Sequence, residues 1–200
     1  MAYKIFIKGE NMSLSGQYVI PVSKNKRQYD LFLRSSYEYG VYLDTDIANL
    51  KPIAQLAKKH NKKIIIHTDL IQGLKNDEYS AEYICQEIKP FGIISTKPSV
   101  ISKAKQRGLL TVQRIFLLDS QALEKSFSIA KKTQADYVEI LPGIIPGFVK
   151  KVAAEIKIPI LTGGLVTTKE EVSCALNAGA QAVTTSRVAL WQAMENVPKT

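Results

Sequence analysis

From Tyr18 onward the chain alternates short β-rich runs with stretches of helical periodicity, and it does so eight times. The strand candidates are QYVIPV near 17–22, GVYLD near 40–44, KIIIH near 63–67 and GIIS near 92–95. LLTVQRIFLL near 109–118, YVEIL near 137–141, IPILT near 158–162 and AVTTS near 182–186 complete them. Between them, apolar residues recur with a helical period, as at Ala81, Ile84, Cys85 and Ile88, and at Val149, Val152, Ala153 and Ile156. Pro98 and Pro146 suit a first helical position, and Thr168 with Glu171 has the spacing of a capping box. Strands separated by helices pair in parallel through right-handed crossovers. Eight such units favour a closed (β/α)8, TIM-like barrel over an open doubly wound sheet. Two hundred residues is short for that fold, so the loops must be short. The expected organisation is one compact α/β domain over 17–200, preceded by a loose extension over 1–16; Met12 opens a tidier beginning than Met1.

Composition narrows the chemistry. The net charge of +9 and pI near 9.4 permit a polyanionic partner or phosphorylated ligands without identifying either. Cys85 and Cys174 stand apart with no C-x-x-C spacing, which fits a reducing compartment and argues against a structural metal site. Only His60 and His67 are available for imidazole ligation, so no metal and no resident cofactor are expected. The first sixteen residues are too interrupted by Lys4, Lys8 and Glu10 to form a signal-peptide core, and no apolar run reaches transmembrane length. A cytoplasmic protein without membrane partners is the expectation.

In a barrel, residues at the strand C-termini face the ligand. Asp44 and Asp46 follow the second strand and read best as caps of the next helix. His67 and Asp69 follow the third, Ser95 and Lys97 the fourth, and Asp119 the fifth; a lone His67 reads as a core histidine. Arg114 and Glu139 lie inside the fifth and sixth strands, among apolar neighbours, where an unpaired charge is costly. These strands are adjacent, so an Arg114–Glu139 pair opening toward the mouth resolves both problems. That pair either sets packing alone or acts with Asp69 and Lys97 as a ligand clamp. After the last two strands come Gly163-Gly164 and Thr184-Thr185-Ser186. Alone, Gly-Gly is a tight turn; in tandem with the hydroxyl run it supplies donors for a phosphate group.

The blocks HTDLIQGLKND (67–77), GIISTKPS (92–99), QRIFLLDS (113–120), EILPGIIP (139–146), ILTGGLVTT (160–168) and GAQAVTTSRVALW (179–191) occur in one order. In that order they resemble the glycerol 3-phosphate-responsive antiterminator family over about Gln17 to Trp191. The resemblance implies a (β/α)8-like barrel that binds glycerol 3-phosphate as effector. It also implies action on the leader mRNA of glycerol-catabolism genes, so that a terminator hairpin does not stop transcription. Carried over by position, the phosphate meets Gly163, Gly164, Thr185 and Ser186, and the glycerol hydroxyls meet some of Asp69, Lys97, Arg114 and Glu139. Thr162 replaces the usual Ala before the glycine pair, and SRVALW replaces a Ser-Asn-Lys type of ending, which blurs the subtype more than the ligand class.

Two functional classes stay open at this point. A phosphate loop with an acid, a lysine and a glutamate in a barrel mouth also describes a phosphosugar isomerase or aldolase. Against that reading, Arg114 and Glu139 neutralise each other and no residue has a clear reason for an activated pKa, so no catalytic residue is assigned. For RNA, basic residues gather at helix C-termini on the face opposite the mouth: Lys58, Lys59, Lys62 and Lys63, then Lys103, Lys105 and Arg107, then Lys131 and Lys132. They serve the helix dipole or contact RNA phosphates, Lys58, Lys59, Lys62 and Lys63 being the candidate contacts. Whether a homodimer forms the RNA surface is open.

Overall fold

All eight β-rich runs become parallel strands: β1 Val19–Ser23, β2 Tyr39–Tyr42, β3 Lys63–His67, β4 Gly92–Ser95, β5 Leu110–Phe116, β6 Tyr137–Leu141, β7 Ile160–Gly163 and β8 Ala182–Thr185. Their hydrogen bonds follow chain order and close between β8 and β1, giving the expected (β/α)8 barrel. The computed structural model describes residue 14, residues 16–117 and residues 120–195, so Asp119 lies outside the described residues. The helices are α1 Lys26–Arg34, α2 Ile47–Lys59, α3 Glu78–Tyr83, α4 Pro98–Gln106, α5 Ser120–Thr133, α6 Pro146–Glu155, α7 Lys169–Asn177 and α8 Val188–Met194. A single π turn, Ile84–Ile88, extends α3. A two-residue parallel bridge joins Thr45–Asp46 to Ile71–Gln72 beside the mouth.

Local chemistry sets the helix starts. Asn25, Asp46 and Asp77 each accept a backbone N–H three residues on, and Thr168 with Glu171 forms the full capping box. Pro98 and Pro146 open α4 and α6, where a missing N–H costs nothing. Of the two aspartates after β2, Asp46 is the helix cap and Asp44 is not.

Side chains alternate across each strand, so each strand serves two cores. One set, with Ile20, Val41, Ile65, Val112 and Leu161, packs inside the barrel. The other, with Ile140 and Val183, packs outward against Val149, Val152 and Leu190 of the helices. The floor is closed from an unexpected direction. Leu14, within the stretch read as a loose extension, is 4% exposed and belongs to the inner cluster. Its N–H donates to the Tyr137 hydroxyl at 3.0 Å, and its carbonyl accepts from Gln17 at 3.2 Å. Gln17 in turn donates to the Tyr39 carbonyl at 2.7 Å and accepts from the Tyr39 N–H at 3.0 Å. A floor plugged this way makes Leu14→Ala cost about 2–4 kcal/mol, the range for truncating a buried leucine. Urea unfolding measures this, and an unshifted midpoint would remove Leu14 from the core.

Candidate functional site

The inward alternation continues above the apolar layers and there turns polar. It places His67 on β3, Arg114 on β5, Glu139 on β6, Gly163 on β7 and Thr184 on β8 around one level of the barrel. The β5–β6 register sets Arg114 directly opposite Glu139. Arg114 Nε donates to Glu139 Oε2 at 2.6 Å, and Glu139 Oε1 accepts from Thr184 Oγ1 at 2.6 Å. Glu139 is fully buried and the Arg114 side chain is 10% exposed. Each charge is therefore stable only because the other is present, and removing one partner of such a pair costs about 3–5 kcal/mol.

His67 completes the layer. Arg114 Nη1 lies 2.5 Å from its Nε2. Burial, and then the positive charge of Arg114, lower its pKa from 6.5 to about 4, against smaller opposing pulls from Asp69 and Glu139. The ring is neutral near pH 7, so Nε2 accepts from Arg114 and Nδ1 carries the hydrogen, with no partner for it. His67 is thus a core histidine with one side satisfied.

The two glycines differ in what they do. A Cβ on Gly163 would lie 2.0 Å from Thr184 Oγ1, so glycine at this position leaves room for the hydroxyl that Glu139 receives. Gly164 has φ +73, a left-handed conformation that turns the chain out of β7. Above the polar layer opens a cavity of about 330 Å³ lined by Arg114, Thr184, Gly164, Leu165, Thr185 and Ser186, and also by Lys24 and Arg187. The Thr185 hydroxyl accepts from the Arg187 N–H at 3.2 Å and so shapes this rim.

Sequence-predicted residues divide accordingly. Gly164, Thr185, Ser186 and Arg114 meet at the cavity, with Glu139 beneath and Gly163 buried behind. Asp69 and Lys97 are not among the lining residues. The Asp69 carboxylate accepts from the Ser95 hydroxyl, from Thr96 N–H at 2.8 Å, from Thr96 Oγ1 at 2.6 Å and from Asn76 Nδ2 at 2.9 Å. Burial works to raise its pKa, but the Ser95 and Thr96 hydrogen bonds hold it below the usual carboxylate range. Its role is to tie the loop after β3 to the loop after β4. Lys97 is exposed and precedes α4. The start of α7 is also occupied: the Glu171 carboxylate takes the N–H groups of Thr167 at 2.6 Å and Thr168 at 3.1 Å. Backbone donors for a phosphate after β7 are left to residues 164–166.

Lys24, Arg187 and the internal role of Thr184 were missed from sequence. Period two along VIPVSK extends the inward face of β1 from Ile20 and Val22 to Lys24, and that signal could have found it. On the opposite face, Lys62 Nζ donates to the carbonyls of Ser35 and Tyr37, both at 2.6 Å, and Lys63 pairs with Glu38 at 2.7 Å. Lys103 and Arg107 share Glu82, and Lys105 pairs with Asp136. Lys58, Lys59, Lys131 and Lys132 are exposed. Among the described residues no group of three or more His, Cys, Asp or Glu is placed to hold a metal ion, and no helix is long and apolar enough to cross a membrane.

The sequence profile of the family described as glycerol-3-phosphate responsive antiterminator matches residues 19–191. The chain belongs to that family. A solved relative, the glycerol uptake operon antiterminator regulatory protein of Listeria monocytogenes str. 4b F2365, is 43% identical, with a TM-score of 0.87 over 89% of this chain and 96% of its own. A glycerol uptake operon antiterminator-related protein of Thermotoga maritima MSB8 is 28% identical, with a TM-score of 0.77 over 88% of this chain and 98% of its own. The uncharacterized protein YgcP of Escherichia coli (strain K12) is 30% identical, covering 86% of this chain and 91% of its own.

The histidine gives a pH test. Its folded pKa is depressed, so the unfolded chain binds a proton below about 6.5 that the folded protein refuses until about 4. Stability from this site is present above 6.5 and is lost as pH falls from 6.5 to 4, by about 3 kcal/mol at 1.36 kcal/mol per unit. Urea midpoints at pH 7 and pH 4.5 should differ less for His67→Gln than for the parent chain.

Proposed function

We propose that the chain is a transcription antiterminator that senses glycerol 3-phosphate and acts on the leader mRNA of glycerol-catabolism genes in the cytoplasm. The observation that carries this reading is the cavity. A polar floor of Arg114 and Thr184, suited to hydroxyls, lies beneath a rim of Gly164, Thr185 and Ser186, suited to phosphate. Its volume of about 330 Å³ is at the small end for ligand sites, in keeping with a three-carbon phosphate. The family description supplies the effector class, and the relative from Listeria supplies the regulatory context.

The same floor supports sensing over catalysis. Arg114 is neutralised by Glu139, His67 is kept neutral by burial and then by the charge of Arg114, and Asp69 is engaged by donors from Thr68, Asn76, Ser95 and Thr96. A phosphosugar isomerase or aldolase needs a base, acid or amine free to exchange a proton or attack. In a thermal-shift panel, glycerol 3-phosphate stabilises the protein by about 2.7 kcal/mol at a hundredfold excess over Kd, while glycerol alone does so weakly. Turnover of a pentose or triose phosphate, with stronger stabilisation by that compound, would overturn the regulatory reading.

For RNA, Lys58 and Lys59, in the last turn of α2, are the candidate contacts whose side chains make no hydrogen bond or ion pair among the described residues, since Lys62 and Lys63 are bonded within the fold. Replacing both with Ala weakens binding to a glycerol-operon leader and lowers the slope of log K against log salt by about 1.4, at about 0.7 per phosphate contact. Unchanged slopes would move the RNA surface away from the end of α2.

A further inference from the structure

The residues lining the cavity carry an excess of positive charge. Three cations line it, Lys24, Arg114 and Arg187, and no carboxylate does. Glu139, beneath, balances Arg114 alone. Among the described residues neither Lys24 nor Arg187 makes an ion pair, and both are exposed at the rim. Glu171, bonded to Thr167 of the lining, is near enough to attract Arg187 without forming an ion pair. The lining residues themselves keep an excess of two positive charges over Glu139, and a phosphomonoester near pH 7 carries between one and a half and two negative ones.

These two cations come from opposite ends of the chain and meet where the barrel closes. Lys24 follows β1 and Arg187 follows β8, the pair whose register runs Val19 to Val183, Ile20 to Thr184 and Pro21 to Thr185. One side chain bridges the loops that bear them. Gln28, in the first turn of α1, accepts the Lys24 N–H on Oε1 at 2.8 Å and donates from Nε2 to the Ser186 carbonyl at 3.1 Å. Its own backbone N–H is held by the α1 cap, Asn25, at 3.0 Å. The carboxamide needs both its acceptor and its donor here, which neither glutamate nor leucine supplies.

We propose that Lys24 and Arg187 form a two-cation clamp for a dianionic phosphomonoester across the β1–β8 closure, with Gln28 as the residue that positions them; this rests on the reading that the cavity takes glycerol 3-phosphate. The clamp contributes what backbone donors alone cannot. Gly164 and its neighbours recognise the shape of a phosphate, whereas two fixed positive charges select its second negative charge. A phosphodiester, with one charge, is therefore disfavoured relative to a monoester of the same glycerol skeleton.

Trp191 is the single tryptophan of the chain, and its Nε1 donates to the Thr185 carbonyl at 2.7 Å, next to the rim. Its fluorescence follows occupancy in the full-length protein. Titrations use glycerol 3-phosphate, its methyl diester and inorganic phosphate. Lys24→Ala and Arg187→Ala each weaken glycerol 3-phosphate binding by about tenfold, as expected for loss of one charge-assisted contact at an exposed rim. The monoester-to-diester preference falls toward unity in the double variant, and Lys24→Arg restores part of it. Gln28→Ala also lowers that preference, which a general loss of stability would not do. Parent-level binding and preference in Lys24→Ala and Arg187→Ala would overturn the clamp and leave the glycerol 3-phosphate reading standing. If the parent ignores glycerol 3-phosphate but binds inorganic phosphate through Lys24 and Arg187, the effector assignment fails and the clamp holds. If no phosphate compound binds the parent, both fall.

Discussion

The buried pair between Arg114 and Glu139 is the interaction on which the upper half of the barrel depends. It exists because two neighbouring strands place opposite charges at the same height, pointing inward, with Glu139 fully buried. Everything adjacent is arranged to complete their hydrogen bonding. Thr184 gives Glu139 its second donor, and Gly163 is small so that Thr184 can reach. His67 offers Arg114 a lone pair and is kept neutral by burial and then by the charge it serves. The result is a polar layer that is closed on itself below and exposes only Arg114 and Thr184 to the cavity above. Interiors of low dielectric reward such completeness and penalise any missing member.

Engagement of this kind contrasts with the free proton-transfer groups that catalysis requires. Enzymes keep one group in an unresolved state, such as a carboxylate pushed upward or an amine pushed downward, so that a proton can move during turnover. In this layer Arg114 and Glu139 are engaged with each other, and burial, then the charge of Arg114, keeps the imidazole neutral. The contrast rests on side chains, since barrels of similar shape serve many chemistries.

Much of this was legible in the sequence. Strand positions, both proline-led helices, the capping box at Thr168 and the pairing of Arg114 with Glu139 all follow from period and from the cost of isolated buried charge. Gly164 and the Thr-Thr-Ser stretch meet at one cavity, with Gly163 outside its lining. What sequence misplaced were residues whose partners are remote. Asp69 and Lys97 follow adjacent strands, but only three-dimensional contacts show that Asp69 is taken by Thr96, Ser95 and Asn76. Lys62 and Lys63 carry the same formal charge as Lys58 and Lys59, yet carbonyls and Glu38 claim the first two. Leu14 looked dispensable because its pocket is made by Tyr137, 123 positions away.

The Gln28 bridge to Ser186 spans 158 positions of chain, and it lies at the last seam of the barrel to close. A ribosome must therefore release almost the whole chain before the cavity can exist. Contacts of such long range also form slowly, because loop closure precedes any gain from them. The cavity consequently has no partial form: a nascent or truncated chain possesses basic helix ends but not the seam that lines the cavity.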